Sequence, residues 1–216
     1  MTIVSGFADI SLLQLLLVAT MALFASIIGG LAGYGTGARL EYLLVPLVFG
    51  LGGPLVAMVG TNIGAEQRER ALRAAWTGAA IATVLSEIIG LAAAAFPYAW
   101  LRLFDTDPAM LDAGARYLRA VGPFYGLFGL GMALYFASQG AGRVLWPLLA
   151  NLTRLTIAGA GGWLALHSTG NLTHVFLALS VALSAYGLII AAAVAGGAWF
   201  GPVRWTAPRP ARVTSA

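Results

Sequence analysis

Long stretches of this chain contain no formally charged side chain, and this feature most constrains its fold. No Asp, Glu, Lys or Arg occurs between Asp9 and Arg39 or between Glu41 and Glu66. A helix needs about 20 mostly apolar residues to cross the hydrocarbon core of a bilayer. The uncharged stretches meet that requirement, and they lack the polar–apolar alternation of membrane strands. We therefore predict an all-α polytopic membrane protein.

The composition supports this fold class and excludes others. Only 9% of the 216 residues are charged, whereas a soluble domain carries about a quarter. This low charge excludes an ordinary soluble enzyme, and the high hydrophobic content excludes a disordered chain. The sequence has no cysteine, so disulfides, thiolate zinc sites and cysteine nucleophiles are excluded as well.

The remaining charges divide the chain into six predicted transmembrane helices that form one lobe over residues 1–200. The predicted spans are residues 10–32, 40–60, 75–98, 118–138, 146–167 and 173–197. Pro46 and Pro54 place two helix breakers in the second span, so this span is predicted to bend or to be discontinuous. The Pro- and Arg-rich tail, residues 201–216, is predicted to be a disordered cytoplasmic segment.

The arginines predict the orientation of the lobe, because basic residues accumulate in cytoplasmic loops. Seven of the twelve fall on the side of the N-terminus and four on the opposite side, so both termini are predicted to be cytoplasmic. The arginines lie at the edges of apolar runs and form no phosphate-binding stripe, and nucleic acid is therefore not an expected partner.

Two glutamates are candidate sites for coupling to a proton or a cation. Glu87 interrupts the third span, where a charge costs about 2.5–3.5 kcal/mol on insertion scales. It is either a titrating group that faces a cavity or a hydrogen-bonded Glu between helices. Glu41 begins the second span beside Arg39 and is either an interfacial ion pair or a cation or proton site on the outer side of a pathway.

Other polar residues in the spans are interpreted as structural. Arg154 either extends its side chain to the cytoplasmic surface or pairs with a carboxylate. His167 and His174 flank a short outer turn and are too few for a metal site. The GxSG and HExxH motifs and paired aspartates of intramembrane enzymes are absent, so no catalysis is predicted. Gly122 and Gly126 have GxxxG spacing, which predicts close helix packing.

Three segments resemble transporters of the multidrug and toxic compound extrusion (MATE) family. Residues 33–71, GYGTGARLEYLLVPLVFGLGGPLVAMVGTNIGAEQRERA, resemble the beginning of the second half of these transporters. Residues 103–119, LFDTDPAMLDAGARYLR, resemble the outer loop before the tenth helix, and residues 136–149, FASQGAGRVLWPLL, resemble the cytoplasmic turn before the eleventh. The three segments occur in the same order as in the family, and the resemblance extends from about Leu12 to Ala198.

The resemblance implies a fold, a function and a location. Family members have twelve helices in two six-helix lobes and export cationic or amphipathic compounds in exchange for sodium ions or protons, without another cofactor. This chain would be the C-terminal lobe, in the inner membrane of a bacterium. Its partners would be the lipid bilayer, small cationic or amphipathic drugs, and either the missing N-terminal lobe or a second copy of itself.

Few site residues of the family can be carried over to this chain. Glu41, within ARLEYL, matches an eighth-helix position where some members have a functional Glu. The first and fourth spans lack the acids with which some members bind a coupling cation in this lobe. The candidates for a substrate cavity are aromatic residues and one glutamine: Tyr34, Tyr125, Tyr135 and Gln139, with Phe124, Phe128 and Phe136.

Three interpretations of the chain as a half-length protein stay open. It is a half-transporter that acts as a parallel homodimer, a truncated gene product without transport activity of its own, or a membrane scaffold that keeps the fold of the lobe. Parallel pairing is allowed because both lobes of the parent fold share one orientation.

Overall fold

The computed structural model describes residues 34–104 and 106–200, without the side chains of residues 34–39 and 41–43. The predicted first span, residues 10–32, and the tail, residues 201–216, lie outside the described residues. Every regular element in the described part is helical, which confirms the all-α class. The elements are α1 (Tyr34–Gly64), α2 (Arg68–Ala95), α3 (Pro97–Leu101), α4 (Pro108–Val121), a 3₁₀ turn (Gly122–Phe124), α5 (Tyr125–Gly140), α6 (Leu145–Thr156), a π-helical segment (Ile157–Gly161), α7 (Gly162–Thr169) and α8 (Leu172–Ala195).

Four helical segments in the described part are long and apolar enough to cross a membrane, which confirms a polytopic membrane protein. These segments are Leu44–Gly64, Arg68–Ala95, Pro108–Gly140 and Leu172–Ala195. They overlap the spans predicted at residues 40–60, 75–98, 118–138 and 173–197. The span predicted at residues 146–167 falls on α6, the π-helical segment and α7, which follow one another without a loop.

Helix α1 contains two prolines but is not discontinuous. Pro46 and Pro54 lie inside the helix, and each removes one backbone hydrogen bond. The helix nevertheless continues without interruption from Tyr34 to Gly64. Of the two predicted alternatives, the structure excludes a discontinuous span, because the remaining bonds on both sides of each proline maintain the helix. That the span bends stays a prediction.

The closest described packing joins α2 to the start of α5. One face of α2 carries small, buried residues at helical spacing: Ala75, Ala79, Ala82, Ser86, Gly90 and Ala93. A methyl group added to Gly129 would lie 2.5 Å from Ser86 Oγ and 2.6 Å from the Ala82 carbonyl oxygen. One added to Gly122 would lie 2.7 Å from the Gly90 carbonyl oxygen. In lipid, such close approach of backbones stabilises helix pairs through dispersion contacts.

Three helices, α1, α5 and α8, end in the same C-terminal turn. In this Schellman turn, one residue adopts the left-handed conformation and the next amide bonds back to the last helical turn. The left-handed residues are Glu66 (φ 59°), Gly142 (φ 66°) and Gly197 (φ 89°). The closing bonds run from the amides of Gln67, Arg143 and Ala198 to the carbonyls of Asn62, Ser138 and Ala193. Only the α1 turn has a side chain at the left-handed position, where it is strained.

Replacing Glu66 by glycine is expected to stabilise the lobe, because glycine adopts a positive φ without steric cost. The free energy of unfolding should rise by about 0.5–1 kcal/mol, after allowance for the greater flexibility of glycine in the unfolded chain. The reverse change, Gly142→Ala, introduces strain without a clash, since open space surrounds that position. It should lower the stability by about 1–2 kcal/mol. Thermal unfolding in detergent micelles measures both, and a lower midpoint for Glu66→Gly would contradict this account.

Gly129→Ala is expected to destabilise the lobe by about 1–3 kcal/mol, because its methyl group overpacks the α2–α5 contact. Gly50→Ala is the matched control, since Gly50 also lies inside a helix but has open space beside it. That control should be neutral or slightly stabilising through helix propensity. Equal unfolding midpoints for the two variants would show that α2 and α5 are not in close contact at Gly129.

Candidate functional site

Glu87 connects α2 to the beginning of α5. Helix α5 starts at Tyr125, directly after the 3₁₀ turn that contains Pro123. The first amides of a helix have no partner within the helix and need an external acceptor. Glu87 Oε2 accepts a hydrogen bond from the Gly126 amide at an N···O distance of 2.7 Å. The N-cap residue of α5, Phe124, makes no side-chain capping bond. Glu87 therefore caps α5 from the neighbouring helix.

The cap depends on a glycine at position 126. A methyl group there would lie 2.6 Å from Glu87 Oε2, so a larger residue would displace the carboxylate. The Glu87 side chain is half-buried, and a carboxylate at a helix N-terminus interacts favourably with the helix dipole. This geometry corresponds to a hydrogen-bonded Glu between helices. The role of Glu87 in coupling stays a prediction.

The backbone of Glu41 lies beside an apolar groove between α1 and α2. Leu40 and Leu44, on either side of Glu41 along α1, line this groove together with Ile88, the neighbour of Glu87 in α2. The groove has a volume of about 590 Å³. The side chain of Glu41 lies outside the described residues. The two candidate acids thus lie on neighbouring helices, each next to a residue that lines the groove.

The aromatic candidates for the substrate cavity are not equivalent in the structure. Tyr125 was expected at the cavity wall but is fully buried, with its hydroxyl 3.3 Å from the hydroxyl of Tyr117. It therefore belongs to the core of the lobe. Tyr135 is half-buried, and its ring centroid lies 5.4 Å from that of Phe136. The side chain of Tyr34 lies outside the described residues.

Gln139 is separated from the acids by most of the length of α5. It lies in the last turn of that helix with an exposed side chain. Thirteen residues separate it from Gly126, a rise of about 20 Å along the helix axis. The structure therefore does not bring all the candidates into one site: Glu87 lies at one end of α5 and Gln139 at the other.

Arg154 has surroundings that the sequence interpretation missed. Its guanidinium carbon lies 5.4 Å from the ring centroid of Phe128 and 5.6 Å from that of Tyr186. Both rings are buried. In the described part of the chain no carboxylate pairs with Arg154, and cation–π contacts stabilise its charge instead. Ala150, four residues earlier in α6, is buried, so Arg154 lies on the inward face of that helix.

The short helix α3 is held to α4 by a polar cluster between two membrane spans. The Tyr98 hydroxyl donates a hydrogen bond to Asp112 Oδ1 at 2.8 Å. This bond raises the pKa of Tyr98 above 10.0, since it stabilises the protonated phenol beside a carboxylate. Arg102 and Arg119 each place a guanidinium carbon 5.9 Å from the Tyr98 ring centroid. The cluster fixes the connection at this end of the lobe.

The described residues contain no group of three or more His, Cys, Asp or Glu side chains that could hold a metal ion. His167 stacks on Trp163 with a centroid distance of 5.1 Å. His174 Nδ1 lies 3.2 Å from the Thr169 hydroxyl. Each histidine therefore contacts a residue of α7.

Substitutions of Glu87 separate a capping role from a titrating role. Glu87→Gln keeps an oxygen that accepts from the Gly126 amide but loses the charge, so it should lower the unfolding midpoint less than Glu87→Ala does. Glu87→Ala leaves that amide without a partner and should lower the stability by about 1–3 kcal/mol. Glu69→Ala, at an exposed position of the same helix, is the control and should be nearly neutral. Equal destabilisation by Gln and Ala in thermal unfolding would argue against the cap.

Comparison with known proteins identifies relatives among membrane transporters. The sequence model of the MatE family matches residues 9–164. The chain is 29% identical to the FAD transporter of Shewanella oneidensis over 126 residues, which are 58% of this chain and 28% of that protein. It is 23% identical to the probable multidrug resistance protein NorM of Thermotoga maritima over 118 residues, which are 55% of this chain and 25% of that protein. No solved structure matches the chain significantly.

The aligned region spans only about a quarter of each relative's length. The family match, in contrast, covers more than two thirds of this chain. It includes the whole α2–α5 contact, the cap formed by Glu87 and the groove beside Glu41. It also agrees with the resemblance that the sequence motifs indicated. The chain therefore belongs to the MATE family of membrane transporters.

Proposed function

We propose that this chain forms one six-helix lobe of a secondary transporter in the inner membrane of a bacterium, with both termini in the cytoplasm. The complete transporter exports cationic or amphipathic organic compounds in exchange for protons or sodium ions. The family match over residues 9–164 is the observation that carries this proposal. The lobe has no catalytic activity of its own in this proposal, and it transports only together with a second lobe.

Glu41 is the residue that binds the coupling proton or cation in this proposal. Its support is the position of the acid on α1, between two residues, Leu40 and Leu44, that line the groove. Glu87 is a second coupling acid in this proposal, and its hydrogen bond to the Gly126 amide transmits ion binding to the backbone of α5. A charged acceptor makes a stronger hydrogen bond than a neutral one. Proton or cation uptake by Glu87 would therefore weaken its bond to Gly126 and release the start of α5.

The half-buried ring of Tyr135 in α5 recognises the substrate in this proposal, because the face of an aromatic ring attracts organic cations. The buried ring of Phe136 packs beside it. Gln139 adds a polar group at the exposed end of the same helix. A substrate that reaches this region is bound between the lobe and its partner lobe.

A second substrate class, aromatic anions, is favoured by the position of Arg154. Its charge is held by two rings inside the helix bundle and has no carboxylate partner among the described residues. An anionic group on a planar substrate would complement this guanidinium. The relative from Shewanella oneidensis is named as a transporter of FAD, which has this chemistry. FAD is therefore a suitable probe beside a cationic dye.

Reconstitution into proteoliposomes tests the proposal. Three samples are compared: the chain alone, two copies fused in tandem, and the chain combined with the first six helices of the Shewanella relative. Uptake of ethidium and of FAD is measured under an imposed proton or sodium gradient. We expect gradient-dependent uptake in the third sample and none by the chain alone. Uptake by the tandem fusion would instead establish the parallel homodimer, and absence of uptake in all three would favour a scaffold.

The coupling role of Glu41 is tested in whichever sample transports. Glu41→Gln removes the charge and the titrating proton, so the dependence of uptake on the ion gradient should be lost or strongly reduced. Glu69→Gln is the matched control, because this exposed acid pairs with Arg73 at the other end of the helices. An unchanged ion dependence in Glu41→Gln would reject the role of this residue.

A further inference from the structure

The Schellman turns of α1, α5 and α8 surround one pocket at the Arg-rich end of the lobe. The pocket has a volume of about 890 Å³. Three charged side chains line it, Glu66 from the first turn, Arg68 from the start of α2 and Arg143 from the second turn. Trp199 and Phe200, which follow the third turn, supply an aromatic wall. Three separate helix ends thus converge on a polar pocket with one aromatic side.

Two arginines of the pocket come from different helix ends. The Arg68 guanidinium carbon lies 5.3 Å from the ring centroid of Phe200, a contact that positions this side chain. The backbone of Arg143 is fixed by its amide, which closes the Schellman turn on Ser138 with a bond of 2.9 Å, and its exposed side chain lines the pocket. Guanidinium groups are well suited to bind phosphate, which accepts several hydrogen bonds from their planar donors.

Glu66 makes the pocket selective rather than simply basic. It adds a carboxylate to the lining that contains the two arginines, although its backbone is strained at a φ of 59°. The equivalent positions in the other two turns are glycines, which adopt this conformation freely. Strain of this kind persists at sites where the side chain has a binding role. A ligand that satisfies all three charges offers an anionic group, such as a phosphate, together with a hydrogen-bond donor.

The surroundings of the pocket point to a membrane lipid as the source of that phosphate. The pocket lies where three apolar, membrane-spanning segments end, which is the level of lipid headgroups. Trp199 is buried beside Phe200, and aromatic residues concentrate at the membrane–water interface. Ile63 and Phe200 add apolar surface for the glycerol and the first acyl carbons of a lipid.

We propose that this pocket binds the headgroup of a phosphatidylethanolamine-type lipid. Arg68 and Arg143 hold the phosphate, and Glu66 accepts a hydrogen bond from the ammonium group. The bound lipid ties together the ends of α1, α5 and α8 and thereby stabilises the lobe. This site is independent of the transport proposal, because it uses none of the candidate coupling or substrate residues.

The preference of the pocket between two lipids that both contain a phosphate tests the role of Glu66. Phosphatidylethanolamine and phosphatidylcholine of identical acyl chains are added to the purified chain in detergent, and native mass spectrometry measures the bound lipid. We expect phosphatidylethanolamine to bind more tightly, since choline has no N–H to donate to Glu66. Glu66→Gln should reduce this preference while leaving phosphatidylcholine binding nearly unchanged. Equal binding of the two lipids to the wild-type chain would overturn the proposal.

Arginine variants test the phosphate site. Arg68→Gln and Arg143→Gln should each weaken the binding of both lipids by roughly tenfold, as expected when a charge-assisted hydrogen bond is lost. Arg116→Gln is the control on the opposite side of the membrane and should bind both lipids normally. Unchanged binding by both pocket variants, with folding verified by circular dichroism, would overturn the assignment.

Soluble probes distinguish a lipid from a free phosphate compound. Glycerophosphoethanolamine carries the same headgroup without acyl chains, and inorganic phosphate carries the anion alone. The proposal predicts that both bind much more weakly than the lipid and raise the unfolding midpoint less. If either soluble compound binds as tightly as phosphatidylethanolamine, the pocket is a site for a soluble ligand and the lipid proposal is wrong.

Discussion

The architecture depends on the contact between α2 and the beginning of α5. Water is absent from the hydrocarbon core, so each unpaired backbone amide there costs several kcal/mol. The 3₁₀ turn at Gly122–Phe124 restarts a helix inside the span Pro108–Gly140 and leaves such amides. Glu87 accepts from one of them, and Gly126 and Gly129 let α2 approach closely enough for the bond to form. The interruption is therefore stable because a neighbouring helix completes it.

In the proposed function, the two candidate acids have different tasks. Glu87 is engaged with backbone, whereas Glu41 lies on α1 between Leu40 and Leu44, which line the apolar groove. Ion uptake by an acid near the groove would change the charge close to the start of α5. This start follows the 3₁₀ turn, where the membrane span is already interrupted. A transporter lobe needs an element with two alternative arrangements, and an interrupted helix held by one carboxylate is suited to this. The coupling proposal thus rests on the same interaction as the stability of the lobe.

The sequence was sufficient for the fold class and for most span positions, because an uncharged apolar run of about 20 residues matches the thickness of a bilayer and would be too hydrophobic for the surface of a soluble domain. The spacing of Gly122 and Gly126 likewise predicted close packing, which the contacts with Gly90 and Glu87 bear out. The sequence was insufficient for deciding which face of a helix is buried. Helix α5 is apolar on all sides, so periodicity could not distinguish the buried Tyr125 from the half-buried Tyr135.

Two further features could not be predicted because the neighbouring sequence carries no signal for them. The turn after α1 has Glu66 where a glycine is the usual signal, so its left-handed conformation leaves no mark in the sequence. Arg154 is stabilised by Phe128 and Tyr186, which lie far from it along the chain and meet it only in the folded lobe. In contrast, the discontinuity considered for α1 is not present, because loss of single hydrogen bonds did not interrupt a long helix.

Amide hydrogen exchange at Gly126 is the most direct test of the central claim, that Glu87 holds the start of α5. The wild-type amide should be protected, and Glu87→Ala should accelerate its exchange by roughly tenfold or more through loss of a hydrogen bond to a charged group. The amide of Gly131, in the interior of the same helix, should keep its exchange rate. Equal exchange of Gly126 in the wild-type chain and in Glu87→Ala would contradict the account.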